Sequence, residues 1–403
     1  MDRVLVDDAD PRRSTALPGE LLPATANWGG TRSSTSFEKY GGTASPAKAD
    51  AHVPRLVWEG LKGSLAFALH KLRYGLASRI RHGTALVVER KSGQTHQLRI
   101  VRKGRVLGSL DVFTARDEIG SRRGTVSLNA CVHRLFSCQD LSQHDKGLVL
   151  AQLVAGLGIS ASYDVTDSPL LNEHDKLLMR KVLCDAGFAA QDLRTFIYQS
   201  RQNGPDTTAD IESKSTREQT RSAGRKLDVI EIGLEEFIRF HDANLTQKNN
   251  YRRWDIDSAF VVDALARGKA RILAVRERAA EGAKAQDLHA AMIYTWDDTS
   301  VKLYRISYDT AKTANPHANK VLIARGMQMA HDQGLLLDTD CAPSGAAILY
   351  ERFGFPERVR THYTRFTLLA KMAELVRKDY PSLDRRLRPP MMRVVARVSR
   401  SMA

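Results

Sequence analysis

Apolar residues recur every three or four positions from Trp58 through Leu61, Leu65, Leu69, Leu72 and Leu76 to Ile80, with Lys62, Lys71, Arg73 and Arg79 between them. That period predicts an amphipathic basic helix. Its expected setting is against the protein with the basic face in water; the alternative is an acidic membrane surface. Short apolar runs then predict strands at 85–89, 96–102, 105–113 and 125–133, with Lys103-Gly104 as the hairpin turn between the second and third. A helix at 146–156, a strand at 159–165, a helix at 171–186 stopped at Gly187 and a strand at 193–198 complete a first series.

After Asp228 the order repeats. Helices at 234–245 and 258–267 flank a polar loop, strands follow at 271–276, 288–296 and 301–308, and a helix covers 316–333. The run Leu335-Leu336-Leu337, too apolar for water and too short for a helix, predicts a buried strand that ends at Asp338-Thr339-Asp340. From Ser344, a suitable N-cap, a short helix carries Ala347, Leu349, Tyr350 and Glu351 to a stop at Gly354-Phe355. A buried strand that delivers into a helix N-terminus makes a polar pocket at its carboxyl end. The internal echo of residues 184–198 in 351–366, where Gly-Phe precedes Arg-Thr and an aromatic strand, joins the element order in predicting two copies of one α/β unit.

The expected division is a disordered tail at 1–52, rich in Ser, Thr, Gly, Pro and Ala, a first unit at 53–198 with its leading basic helix, a polar linker at 199–227, a second unit at 228–368 and a basic helical tail at 369–403. The net charge of +15 sits at the flanks: 55–81 holds six basic residues against one acidic, and 357–403 twelve against four. An anionic partner, tRNA or an anionic membrane, is expected to meet those flanks. Four scattered cysteines exclude a disulfide framework, and no apolar run reaches the length of a membrane span. The polar start predicts a cytoplasmic protein, with peripheral attachment at the inner membrane surface as the alternative.

The Ala347, Leu349-Tyr350-Glu351 and Gly354-Phe355 spacing after a buried strand resembles the last conserved block of the GNAT superfamily of N-acetyltransferases. The resemblance spans residues 234–366. It implies a mixed, mostly antiparallel sheet with flanking helices, and a Tyr350 that protonates the thiol of coenzyme A as it leaves. Two such units in tandem resemble the Fem family of peptidoglycan aminoacyl transferases and its relatives, in which a degenerate first copy supports a working second one. Leu183 stands where the second copy has Tyr350, four residues before the glycine, and so has no hydroxyl to offer.

Acyl transfer to an amine needs a proton acceptor for the amine and a donor for the leaving group. Asp338 and Asp340, two apart on a strand and hence on one face, are the candidate acceptors, the alternative being that they bind loop N–H groups or cap the next helix. The turn Asn315-Pro316 and the N–H groups of His317, Ala318, Asn319 and Lys320, with Ser344, are the candidate phosphate cradle for a co-substrate. This turn has no glycine, a departure from the GNAT pattern that the Fem relatives share, and those take an aminoacyl-tRNA. The loop Asn250-Tyr251-Arg252-Arg253-Trp254 is the candidate acceptor clamp, the alternative being a core tryptophan between solvated arginines. No Walker motif or Gly-x-Ser-x-Gly elbow is present, and Cys131, His133 and Cys138 match no common zinc spacing.

The expectation is therefore an N-acyltransferase with no tightly bound cofactor and no metal. It would move an acyl group from acyl-CoA, acetyl-CoA first, to a small-molecule or protein amine through its second unit. The alternatives are an aminoacyl-tRNA donor, or a silent binding module that holds nucleic acid or an anionic membrane by its basic flanks.

Overall fold

A computed structural model describes residues 46–116, 122–126, 138, 140–200, 206–247, 255–278, 288–309, 315–340, 344–367 and 370. The expected tail at 1–52 falls outside them up to residue 45, as do 371–403, the acceptor loop at 250–254, and Cys131, His133 and Cys341. No helix of the described residues is long and apolar enough to cross a membrane.

The chain opens with α1 (Pro46–Tyr74) and α2 (Leu76–Arg81). Then come β1 (Ala85–Arg90), β2 (Thr95–Arg102), β3 (Arg105–Arg116), β4 (Arg122–Val126), α3 (Gln143–Gly156), β5 (Ala161–Thr166), α4 (Glu173–Asp185) and β6 (Ala189–Tyr198). Next are α5 (Lys214–Lys226), β7 (Leu227–Glu231), α6 (Leu234–Gln247), α7 (Asp255–Ala266), β8 (Ala270–Glu277), β9 (Ala290–Trp296) and β10 (Ser300–Tyr308). The series closes with α8 (Ala318–Asp332), β11 (Leu336–Asp338), α9 (Ser344–Phe353) and β12 (Glu357–Arg365). The β2–β3 turn is where Lys103-Gly104 places it, both residues having positive φ. The stretch read as a linker holds a 3-10 turn (Thr207–Asp210) and α5, whose Thr216, Thr220 and Ala223 are buried.

All twelve strands form one mixed sheet in the order β1-β2-β3-β4-β5-β12-β6-β11-β10-β9-β8-β7. Its parallel pairings are β4 with β5 and β10 with β11; the others are antiparallel. Matching β1–β6 to β7–β12 makes this order read alike from either edge, so the last strand of each half lies in the other half's sheet. β12 pairs with β5 at His362↔Thr166 and with β6 from Glu357↔Phe196 to Thr364↔Ala189. β6 in turn pairs with β11 at Leu337↔Tyr198.

Strand alternation sends side chains to two faces. On one face α3 and α4, with Phe67 of α1, cover Leu110, Val112, Tyr163 and Tyr363, while α8 and α9 cover Met292, Tyr294, Val301 and Leu337. On the other face α6 and α7 cover Ile272, Ala274, Ala291 and Ile293. Buried on both sides, β9 is apolar but for Thr295 in its run Ala-Ala-Met-Ile-Tyr-Thr-Trp. Helix α7 also reaches the first half: Asp263 accepts from Thr95 Oγ1 at 2.8 Å, and Phe260 meets Phe113 edge-on.

Helix α1 corrects the expected orientation. It packs through Phe67, buried His70 and a glycine contact in which a Cβ on Gly187 would lie 2.5 Å from the Gly63 carbonyl oxygen. His70 Nε2 bonds to the Ala151 carbonyl, and Lys71 Nζ donates to the carbonyls of Ala155 and Leu157 at the end of α3. The leucine stripe points away from the protein: Trp58, Leu61, Leu65, Leu69, Leu72, Leu76 and Ile80 are 44 to 76 % exposed.

Candidate active site in the second half

Strands β10 and β11 pair only from Ser300↔Leu336 to Lys302↔Asp338, after which β10 runs on to Tyr308 through a bulge at Leu303/Arg305. β11 itself ends with the third rung, at Asp338, and α9 begins six residues later, at Ser344. Helix α9 ends at Gly354, whose φ of +81° lets its N–H bond to Glu351 and that of Phe355 to Tyr350. This stop fixes the rotation of the helix and turns Tyr350 into the core.

Tyr350 is 5 % exposed, its ring 5.7 Å from Phe196 and stacked 6.1 Å from Phe355, in the cluster that holds Val301 and Leu303 of β10 and Leu337 of β11. Its hydroxyl has no hydrogen-bond partner among the described residues. Burial pushes the phenol up to about 12, so it stays protonated at physiological pH.

Asp338 and Asp340 are placed differently from two open bases. Asp338, fully buried, accepts from Arg360 Nη2 at 2.6 Å, Thr195 Oγ1 at 2.8 Å and its neighbour Asp340 N at 2.9 Å. Arg360 is equally buried and also donates to Asp340 Oδ1 at 3.0 Å, with Lys302 Nζ 3.6 Å from the same oxygen. The guanidinium of Arg360 thus compensates the charge that these carboxylates bring into the core. The physical role of Asp338 is to neutralise Arg360, while Asp340, held at a φ of +52°, keeps about a fifth of its side chain exposed.

Arg360 and Thr195 were missed at the level of sequence. The one local signal is a pair of arginines, Arg360 and Arg365, inside the run Val-Arg-Thr-His-Tyr-Thr-Arg of β12, since an arginine that such a strand buries needs polar partners.

The candidate cradle is largely spent on its own turn. Asn315 Oδ1 accepts from His317 N at 3.0 Å, Asn315 O from Ala318 N, and His317 O from Lys320 N, which leaves the Asn319 N–H of the four. His317 is the N-cap, and α8 starts at Ala318. Lys320 Nζ donates to Gln219 at 2.5 Å, and burial, then Arg352, lowers its pKa. Ser344 stands at the first residue of α9.

No family model and no curated protein matches the sequence. Among solved structures the chain is similar to FemX, at 11% identity and a TM-score of 0.49, over 72% of this chain and 90% of that one. It is also similar to a tandem GNAT protein from the clavulanic acid biosynthesis pathway, at 12% identity and a TM-score of 0.39, over 78% and 95%. A third similar structure is L-PGS from Bacillus licheniformis, at 13% identity and a TM-score of 0.38, over 90% and 99%. At these identities each likeness concerns the course of the chain alone.

Proposed function

We propose that the protein is an acyl transferase whose second half moves an acyl group from acyl-CoA, acetyl-CoA first, to an amine. The observation that carries this reading is a neutral phenol, Tyr350, with no hydrogen-bond partner among the described residues, packed in the cluster that holds Val301 and Leu303 of β10 and Leu337 of β11. The amine nitrogen attacks the thioester carbonyl, a C–N bond forms and the C–S bond breaks. Tyr350 gives its proton to the leaving sulfur and is reprotonated from solvent; the proton lost by the amine goes to water or to Asp340, the more exposed of the two aspartates.

An aminoacyl-tRNA donor is the second reading, favoured by two observations. Few N–H groups at 317–320 remain for a pyrophosphate, and a phenol near 12 is better matched to an alkoxide leaving group than to a thiolate, whose conjugate acid lies near about 8.5.

The test is calorimetric titration with acetyl-CoA and, separately, a charged tRNA, followed by turnover with whichever binds. Tyr350→Phe is expected to lower kcat by about 10² to 10⁴ with donor affinity unchanged. Unchanged kcat in that variant overturns the role of Tyr350, and absence of binding by both donors overturns the transferase reading.

A further inference from the structure

The stripe from Trp58 to Ile80 is seven large apolar side chains on one side of α1–α2, opposite the side that packs on the protein through Phe67, His70 and Ser78. Leaving such a stripe in water is costly, and nothing in the packing of α1 requires leucine at these positions. We propose that this face docks on an anionic phospholipid surface, with the leucines at the level of the acyl-chain boundary.

Charge selects this occupant. Residues 58–82 hold five basic side chains against Glu59. Lys71 is turned inward to carbonyl groups, but exposed Lys62 and Arg73 border the stripe, where their stems can lie along lipid while their charges meet phosphate. Lys62 lies over the Trp58 ring at 5.1 Å, an aromatic–cation pair suited to the interfacial layer. A second copy would oppose the same positive charge, and residues 371–403 are also basic, nine against three. A cavity of about 770 Å³ between α1, α3 and α4 opens beside the stripe and shares Leu69 and Arg73 with it, so that a lipid-bound α1 would bring this cavity to the membrane face.

The experiment is flotation of the full chain with vesicles of phosphatidylcholine alone or mixed with phosphatidylglycerol, at low and high salt, beside sedimentation without vesicles. Binding to the anionic vesicles only is expected, weakened by salt. The triple substitution Leu65→Ser, Leu69→Ser, Leu72→Ser is expected to reduce the bound fraction at least tenfold, with an unchanged circular dichroism spectrum because the replaced side chains lie outside the core. Lys62→Glu with Arg73→Glu is expected to do the same at low salt. Failure of the wild type to float overturns the proposal, as does retained binding by the triple variant. A wild-type dimer that the triple substitution dissociates also overturns it, by assigning the face to a second copy.

Discussion

Helices α4 and α9 end in the same way and carry different chemistry. Gly187 and Gly354 have φ of +82° and +81°; in each case the next residue is a phenylalanine whose N–H bonds to the carbonyl of the residue five before it, Leu183 in one half and Tyr350 in the other. Leu183 is fully buried among Met179, Ala186 and Phe188, whereas Tyr350 adds a hydroxyl with no partner among the described residues. The same frame therefore fills its pocket with hydrocarbon on one side and keeps a protonated phenol on the other. The strand ends differ as well: β5 runs into Thr166-Asp167-Ser168, while β11 ends in Asp338-Thr339-Asp340 and meets Arg360.

The largest effect is expected from breaking the charged centre that separates the halves. Arg360 leaves β12, the strand shared by both, and its removal would strand Asp338 as an uncompensated buried charge. Arg360→Ala is expected to destabilise by about 3–5 kcal/mol in urea denaturation. Both halves should unfold together, because Tyr363 and Arg365 of the same strand serve the first half: Tyr363 lies in its core, and Arg365 stacks 3.8 Å from Phe67 and donates to Ala161 O. Separate transitions for the two halves would show that the exchange of last strands does not couple them.

Much of this was readable beforehand, and the misses have physical causes. The Lys103-Gly104 turn and the Gly354-Phe355 stop follow from local rules and stand where those rules put them, whereas of the strand expected at 125–133 only 125–126 are described, at the end of β4. Helix α5 was read as a linker because its buried positions are Thr216, Thr220 and Ala223, a helical period in small residues that an apolar count does not register. β7 is five residues long and was absorbed into the same polar stretch. Periodicity said which side chains of α1 share a face, but the helix chooses its packing side by close approach at Gly63 and Gly187, so the leucines face out. The insertion of β12 between β5 and β6 joins residues 161 to 202 positions apart, and no local pattern encodes it. The Arg360 centre was missed for the same reason.

A smaller effect sharpens the comparison at the paired positions. Leu183→Ala would open a cavity in the first-half core and is expected to cost about 2–5 kcal/mol, with kcat of the remaining folded protein unaltered. Tyr350→Phe removes one oxygen from a hydroxyl that makes no bond among the described residues, so its stability change is expected to stay within about 1 kcal/mol while turnover falls. If Leu183→Ala lowered kcat as Tyr350→Phe does, at equal folded fraction, the division between a supporting and a working half would fail.

The most gradual effect lies in pH. Asp167, at the end of β5, is fully buried; it accepts from Thr361 N at 2.8 Å through one oxygen, and the other has no partner. Burial raises its pKa from 3.8 to about 6, against the pull of the Thr361 N–H and of Arg360. Between those values the native protein holds a proton that the unfolded chain has released, so the native state binds more protons and stability falls as pH rises. The contribution is present in full below about 4 and is lost as pH passes about 6, at no more than about 1.4 kcal/mol per pH unit. Asp167→Asn keeps an acceptor for Thr361 and removes the titration. The difference between wild-type and variant unfolding free energies should therefore slope between about 4 and 6 and be flat above; a slope of opposite sign would mean that Arg360, already paired with Asp338, holds Asp167 ionised as well.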